Sequence, residues 1–98
     1  MILVRNIFQV QFGKMKEAMA LAKEGESFMM PQGAKSRRML TDLTGAFYTL
    51  VLEEAYDSLS DLEKAVREFP RNKDWEGWYR RFSALVESGR REIFTIVQ

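Results

Sequence analysis

Apolar residues along this chain switch between the alternation of strands and the three-to-four spacing of helices. The switches mark the elements. Ile2 to Val10 is rich in β-formers, with Ile2, Leu3, Val4, Ile7, Phe8 and Val10. Side chains alternate across a strand, so Val4, Asn6 and Phe8 share one face and Leu3, Arg5, Ile7 and Gln9 the other. Phe12-Gly13-Lys14 turns the chain. From Lys14 onward, Met15, Ala18, Met19 and Ala22 fall at i, i+3, i+4 and i+7, which predicts an amphipathic helix with Lys16, Glu17, Lys23 and Glu24 in solvent. Gly25 weakens or ends this helix, or else Phe28, Met29 and Met30 prolong its stripe as far as the stop at Pro31-Gln32-Gly33.

Arg37 to Leu43 and Phe47 to Glu54 predict two strands joined as a hairpin at Thr44-Gly45. Phe47 to Leu52 is apolar on both faces, as a central strand is. Tyr56-Asp57-Ser58 leads into a second helix, capped by Ser60 with Glu63 or by Ser58 with Asp61. Its stripe is Leu59, Leu62, Val66 and Phe69, and Pro70 closes it. Asp74 is the predicted cap of a third helix carrying Trp75, Trp78, Tyr79, Phe82, Leu85 and Val86, with Gly89 as its C′ residue. Arg90 to Gln98 is the last predicted strand, built on Ile93, Phe94, Ile96 and Val97. The order is β-α-β-β-α-α-β in one α+β domain over residues 1–98. It corresponds to a ferredoxin-like split βαβ unit with an extra helix and an antiparallel sheet. One helix layer covers one face of that sheet. The two-faced apolar strands therefore predict a homodimer through the face opposite the helices.

Hydrophobic residues make up 46% of the 98 positions, too many for a disordered chain. The apolar runs fall well short of the ~20 residues of a membrane span. Met1 to Val10 carries Arg5 and Asn6 within it and reads as a strand, not a signal peptide. With no cysteine either, a cytoplasmic protein is the expectation. Fifteen basic residues against fourteen acidic leave a net charge of +1, which offers no footprint for nucleic acid or anionic membrane. Arg37-Arg38, Arg80-Arg81 and Arg90-Arg91 read as solvated faces and strand starts rather than a phosphate site, since acids are interleaved and no Gly-rich loop accompanies them.

The chain has no histidine and no cysteine, which removes a His/Cys zinc site, a thiol nucleophile and a Ser-His-Asp triad together. No cofactor is predicted. Glu53 and Glu54 are adjacent in a strand and point to opposite faces, so they cannot share a site; they read as a strand end leaving the core. The Trp75, Trp78, Tyr79, Phe82 stripe fits either core packing, which helical spacing alone explains, or the wall of a pocket for an aromatic ligand. Met15, Met19, Met29, Met30 and Met39 read as core filler. Asn6 is the sharpest single residue, because it interrupts the apolar Val4-Asn6-Phe8 face. Its amide needs either a backbone partner or a wet cavity. Arg5, on the other face, is expected to pair with an acid across the dimer.

The first strand, the Phe12-Gly13-Lys14 turn and the helix after it, the Ser58-Leu59-Ser60-Asp61-Leu62 helix start and Asp74-Trp75 before a final strand together resemble the dimeric α+β barrel superfamily. The Asp74-Trp75-Glu76-Gly77-Trp78 stretch and the last strand are most similar to NIPSNAP-type domains. The resemblance implies two subunits with face-to-face sheets and a pocket between each sheet and its helices. It also brings in the antibiotic-biosynthesis monooxygenases, which oxidise aromatic polyketides without metal or flavin. Heme-degrading relatives use a first-strand Asn, a Trp and a His. Asn6 and Trp75 or Trp78 match the first two, but no residue here matches the His. The expectation is a homodimer that binds a small apolar or aromatic molecule through Asn6, Phe8, Trp75, Trp78 and Phe82, with cofactor-independent monooxygenation as its chemistry. The rival expectation is a non-enzymatic NIPSNAP-like interaction or structural module.

Overall fold

The computed structural model describes residues 1–26 and 33–97. Its elements are β1 (Ile2–Val10), α1 (Met15–Glu26), β2 (Ser36–Thr41), β3 (Thr49–Tyr56), α2 (Leu59–Arg67), α3 (Lys73–Ser83) and β4 (Val86–Thr95). The order is the expected β-α-β-β-α-α-β. All three strand pairs are antiparallel and the sheet runs β2-β3-β1-β4, which places β1 and β3 in the centre. Phe28, Met29, Met30 and Pro31, which the sequence reading used to prolong or stop the first helix, lie outside the described residues, as does Gln98.

The helices pack on the sheet face that carries the even-numbered residues of β1. The main core cluster joins Val10, Leu50 and Leu52 to Ala18 and Ala22 of α1 and to Trp78 and Phe82 of α3. Met15, Met19 and Met39 pack against it, as filler. A second cluster sets Ile2, Val4 and Tyr56 against Leu62 and Ala65 of α2. The shortest dimension is 18 Å, room for one sheet and one layer of helices. On the opposite face, Arg38, Glu53, Arg5 and Glu92 stand in register across all four strands.

Local chemistry moved several boundaries. The predicted Thr44-Gly45 hairpin is a longer loop from Asp42 to Tyr48. It is closed by the Asp42 carboxylate, which accepts from Thr49 N at 2.8 Å. Tyr48 takes a left-handed φ of 62°, costly for a bulky residue, and its carbonyl is held by Val10 N at 2.8 Å. Phe47 is loop and exposed rather than strand. Ser58, the second of the two caps considered, caps α2 by accepting from Asp61 N at 3.2 Å. Asn72, not Asp74, caps α3, accepting from Trp75 N at 3.0 Å. Asn and Asp both cap well, and the residue whose backbone is extended just outside the helix wins. Helix α3 stops at Ser83, so Leu85 and Val86 leave its stripe, and Phe69 lies beyond α2. Gly89 is not a C′ residue but a strand residue opposite Phe8, where an added Cβ would come within 3.0 Å of the Phe8 ring.

Glu53 and Glu54 correct the expectation that they leave the core. Both are buried, one on each face of β3. Glu53 lies 3.0 Å from Arg5 and 2.5 Å from Arg38, so Arg5 finds its acid within its own chain. Glu54 accepts from the Tyr56 hydroxyl at 2.9 Å and lies 3.7 Å from Arg37. These partners make burial of two consecutive carboxylates possible. Burial first, and then the Glu54 charge and hydrogen bond, push the Tyr56 hydroxyl well above the usual tyrosine range.

Gly25 lies one residue before Glu26, the last described residue of α1. It is buried inside the helix because the Trp78 indole lies on it; a Cβ there would meet indole atoms at 2.7–2.8 Å. The indole cannot step aside, since its Nε1 donates to Leu21 O at 2.6 Å and its ring stacks on Phe82 at 5.2 Å.

Gly25→Ala should therefore destabilise by ~1–3 kcal/mol through overpacking, although alanine is the better helix former by ~1 kcal/mol. Trp78→Ala should cost ~3–5 kcal/mol. In the double variant the alanine at 25 should become neutral or stabilising; urea denaturation of all four proteins measures that change of sign.

Tyr56→Phe should cost roughly 1–3 kcal/mol at neutral pH, by removing a hydrogen bond to a buried carboxylate. The raised Tyr56 value has a definite sign. Its stability contribution is whole below about pH 10, the unfolded tyrosine value, and declines above it because the unfolded chain gives up the proton first. Denaturation midpoints from about pH 9 to 11 should fall more steeply for the parent than for the phenylalanine variant.

Candidate functional site

Between the sheet and the α2–α3 pair lies a cavity of about 250 Å³. Its floor is Val4, Asn6 and Phe8 of β1, with Leu52 and Glu54 of β3 and Arg91 of β4. Its roof is Leu62 and Val66 of α2, Phe69 and Arg71 of the connection, and Trp75, Trp78 and Tyr79 of α3. The volume lies just under the ~300–1,000 Å³ typical of ligand sites, and the lining has their usual make-up of apolar walls with a few polar groups.

The floor follows from strand parity. Even-numbered residues of β1 face the helices, so Asn6 meets the cavity between two apolar neighbours. Register places Arg91 directly opposite Asn6, and Arg91 Nε donates to Asn6 Oδ1 at 2.7 Å. The Asn6 partner is thus a side chain and not the backbone group considered above. The roof is an aromatic chain. Trp75 stacks on Tyr79 at 5.0 Å and 14°, Phe69 meets Trp75 edge-on at 6.1 Å, and the Arg71 guanidinium lies 5.8 Å from the Trp75 ring centre. A larger and more open groove of about 540 Å³ continues along β4, sharing Asn6, Phe8, Tyr79 and Arg91 with the cavity.

Four of the five predicted site residues come together here: Asn6, Phe8, Trp75 and Trp78 line one cavity. Phe82 does not line it. It is buried one turn further along α3, stacked on Trp78 and edge-on to Phe8 at 5.0 Å. Phe82 thus packs in the core, Trp75 lines the cavity, and Trp78 does both. Sequence reasoning missed Arg71, Arg91 and Glu54. Arg91 was read as a strand start; only the pairing of β4 with β1 reveals that it faces Asn6. Glu54 was read as leaving the core. Arg71 follows a proline in a short polar connection and carries no periodic signal.

Among the described residues, no three acidic, histidine or cysteine side chains converge as metal ligands, and no helix is long and apolar enough to cross a membrane.

No protein-family model and no curated protein matches the sequence. Solved structures do match. A NIPSNAP-domain protein from Burkholderia xenovorans superposes with a TM-score of 0.86 at 18% identity, over 99% of this chain and 95% of that one. A NIPSNAP family protein from Agrobacterium tumefaciens gives 0.82 at 21% identity, over 96% and 90%. An antibiotic biosynthesis monooxygenase gives 0.71 at 12% identity, over the full length of both chains. The chain therefore has the ferredoxin-like α+β fold found in solved structures of NIPSNAP-domain and antibiotic-biosynthesis-monooxygenase proteins.

Proposed function

We propose that this protein binds a small, largely apolar or aromatic molecule in the cavity beside Asn6, and does so as a homodimer. One observation carries the binding reading: the cavity is walled by aromatic rings on one side and by a polar pair, Asn6 and Arg91, set in an apolar strand face on the other. A purely structural module has no need of an amide in that position, where an aliphatic side chain would fill the space. The reading extends to cofactor-independent monooxygenation, because a monooxygenase shares the fold and the resemblance drawn from the sequence implies it.

The dimer reading rests on the sheet face away from the helices. Leu3, Ile7, Leu40, Val51 and Ala55 flank the Arg38-Glu53-Arg5-Glu92 row there, and none of them joins either hydrophobic cluster. Phe94 is 47% exposed on the same face. A second copy of this sheet covers these side chains and shields the ion row.

Asn6→Ala should shift the thermal midpoint little, because Asn6 is only part-buried and water can replace its amide. It should abolish the melting shift that a panel of quinols and polyketide-like aromatics produces in the parent. A large loss of stability on Asn6→Ala, with no ligand shift in either protein, sinks the binding reading. Sedimentation equilibrium at micromolar concentration should give twice the chain's 11.5 kDa, and a persistent 11.5 kDa species overturns the dimer.

A further inference from the structure

We infer that the ligand of this cavity is an aromatic acid, its rings under Trp75 and Trp78 and its carboxylate received by the Arg91–Asn6 pair at the mouth. The inference rests on the ligand-binding reading above.

Arginine only donates hydrogen bonds. The 2.7 Å contact with Arg91 Nε therefore fixes the Asn6 oxygen toward the guanidinium and turns the Asn6 NH₂ away from it. That NH₂ has no hydrogen-bond partner among the described residues, and neither do the terminal nitrogens of Arg91, whose charge is felt at the Tyr56 hydroxyl. The pair thus offers mostly donors and one positive charge, with a single lone pair left on the Asn6 oxygen. Arg71 adds a second guanidinium to the same lining. It lies over the Trp75 ring and forms no ion pair among the described residues.

Glu54, the one acid among the described lining residues, does not cancel this. Glu54 is already engaged by the Tyr56 hydroxyl at 2.9 Å and lies 3.7 Å from Arg37. Arg5, Arg38 and Arg90 of the same sheet each have a carboxylate within 3.2 Å, whereas Arg91 has an amide. An amide positions a guanidinium without neutralising it. The complement is an anionic oxygen group, bound by charge-assisted hydrogen bonds beside walls that keep much of the water away. Arg71 and Arg91 are both exposed while Trp78 is buried, so the acid belongs at the rim and the rings inside.

Calorimetric titration of the full chain with 2-naphthoate, 2-naphthamide and 2-naphthylmethylammonium tests this. The three share their rings and differ in charge. Naphthoate should bind at least about tenfold more tightly than naphthamide, with the ammonium compound weakest. Arg91→Met should remove that preference while keeping naphthamide binding. Arg90→Met, which deletes the neighbouring charge but not the site, should preserve it. Equal binding of naphthoate and naphthamide overturns the acid and leaves the aromatic pocket standing. Loss of the preference in Arg90→Met as much as in Arg91→Met overturns the specific pairing in favour of a general field. No binding by any of the three removes both the inference and the reading beneath it.

Discussion

The Trp78 indole joins the parts of this small fold. It spans the gap between α1 and α3, donating to the Leu21 carbonyl and resting on Gly25 where any larger residue would collide. Its lower face stacks on Phe82, which in turn meets Phe8 of the sheet. Close packing of this kind fixes the distance of both helices from the sheet. The same indole also borders the cavity. The wall that a ligand would touch is thus the outer surface of the core itself, and its geometry is as rigid as the core. A site held by packed secondary structure is positioned more accurately than one on a loop.

Across the sheet the polar design is different. Glu53 and Glu54 sit at consecutive positions of β3, yet they serve separate layers. Glu53 belongs to an ion row on the open face, and Glu54 to a buried cluster with Tyr56 beneath the helices. Arg5 Nε lies 3.0 Å from Glu53 without the alignment of a hydrogen bond and has no hydrogen-bond partner among the described residues. Such groups do little for the stability of a lone chain.

How far these features can be read in the chain depends on how local their causes are. The β1 alternation, the α1 stripe, the α3 stripe as far as Phe82 and the order of elements were legible, because each is set by residues within a few positions of one another. Asn6 was legible as an anomaly for the same reason. Its partner was not, since Arg91 is 85 positions away and meets Asn6 only through the β1–β4 register. The buried state of Glu53 and Glu54 was hidden likewise, because the arginines that permit it come from β1 and β2. The failure at Gly89 has another cause. A glycine after a helix is a common stop, but β4 needed a residue without a side chain opposite Phe8, and tertiary packing overrode the local signal.

The pairing of Arg37-Arg38 with Glu54-Glu53 has a consequence for how the chain folds. Strand β2 is an edge strand, and edges are where sheets slip or recruit the wrong neighbour. A slip of one residue against β3 exchanges the faces of β2 and leaves only one arginine of the doublet opposite a carboxylate, Arg37 at Glu53 or Arg38 at Glu54. A slip of two restores the faces but sets Arg38 opposite Ala55 or Val51, and leaves Glu53 facing Ser36 or Leu40. None of these slips keeps both arginine–glutamate pairs that the native register makes at once, while the Arg5–Glu53 contact from β1 does not depend on where β2 sits. The doublet works as a two-toothed key: only the native alignment of the edge engages both teeth.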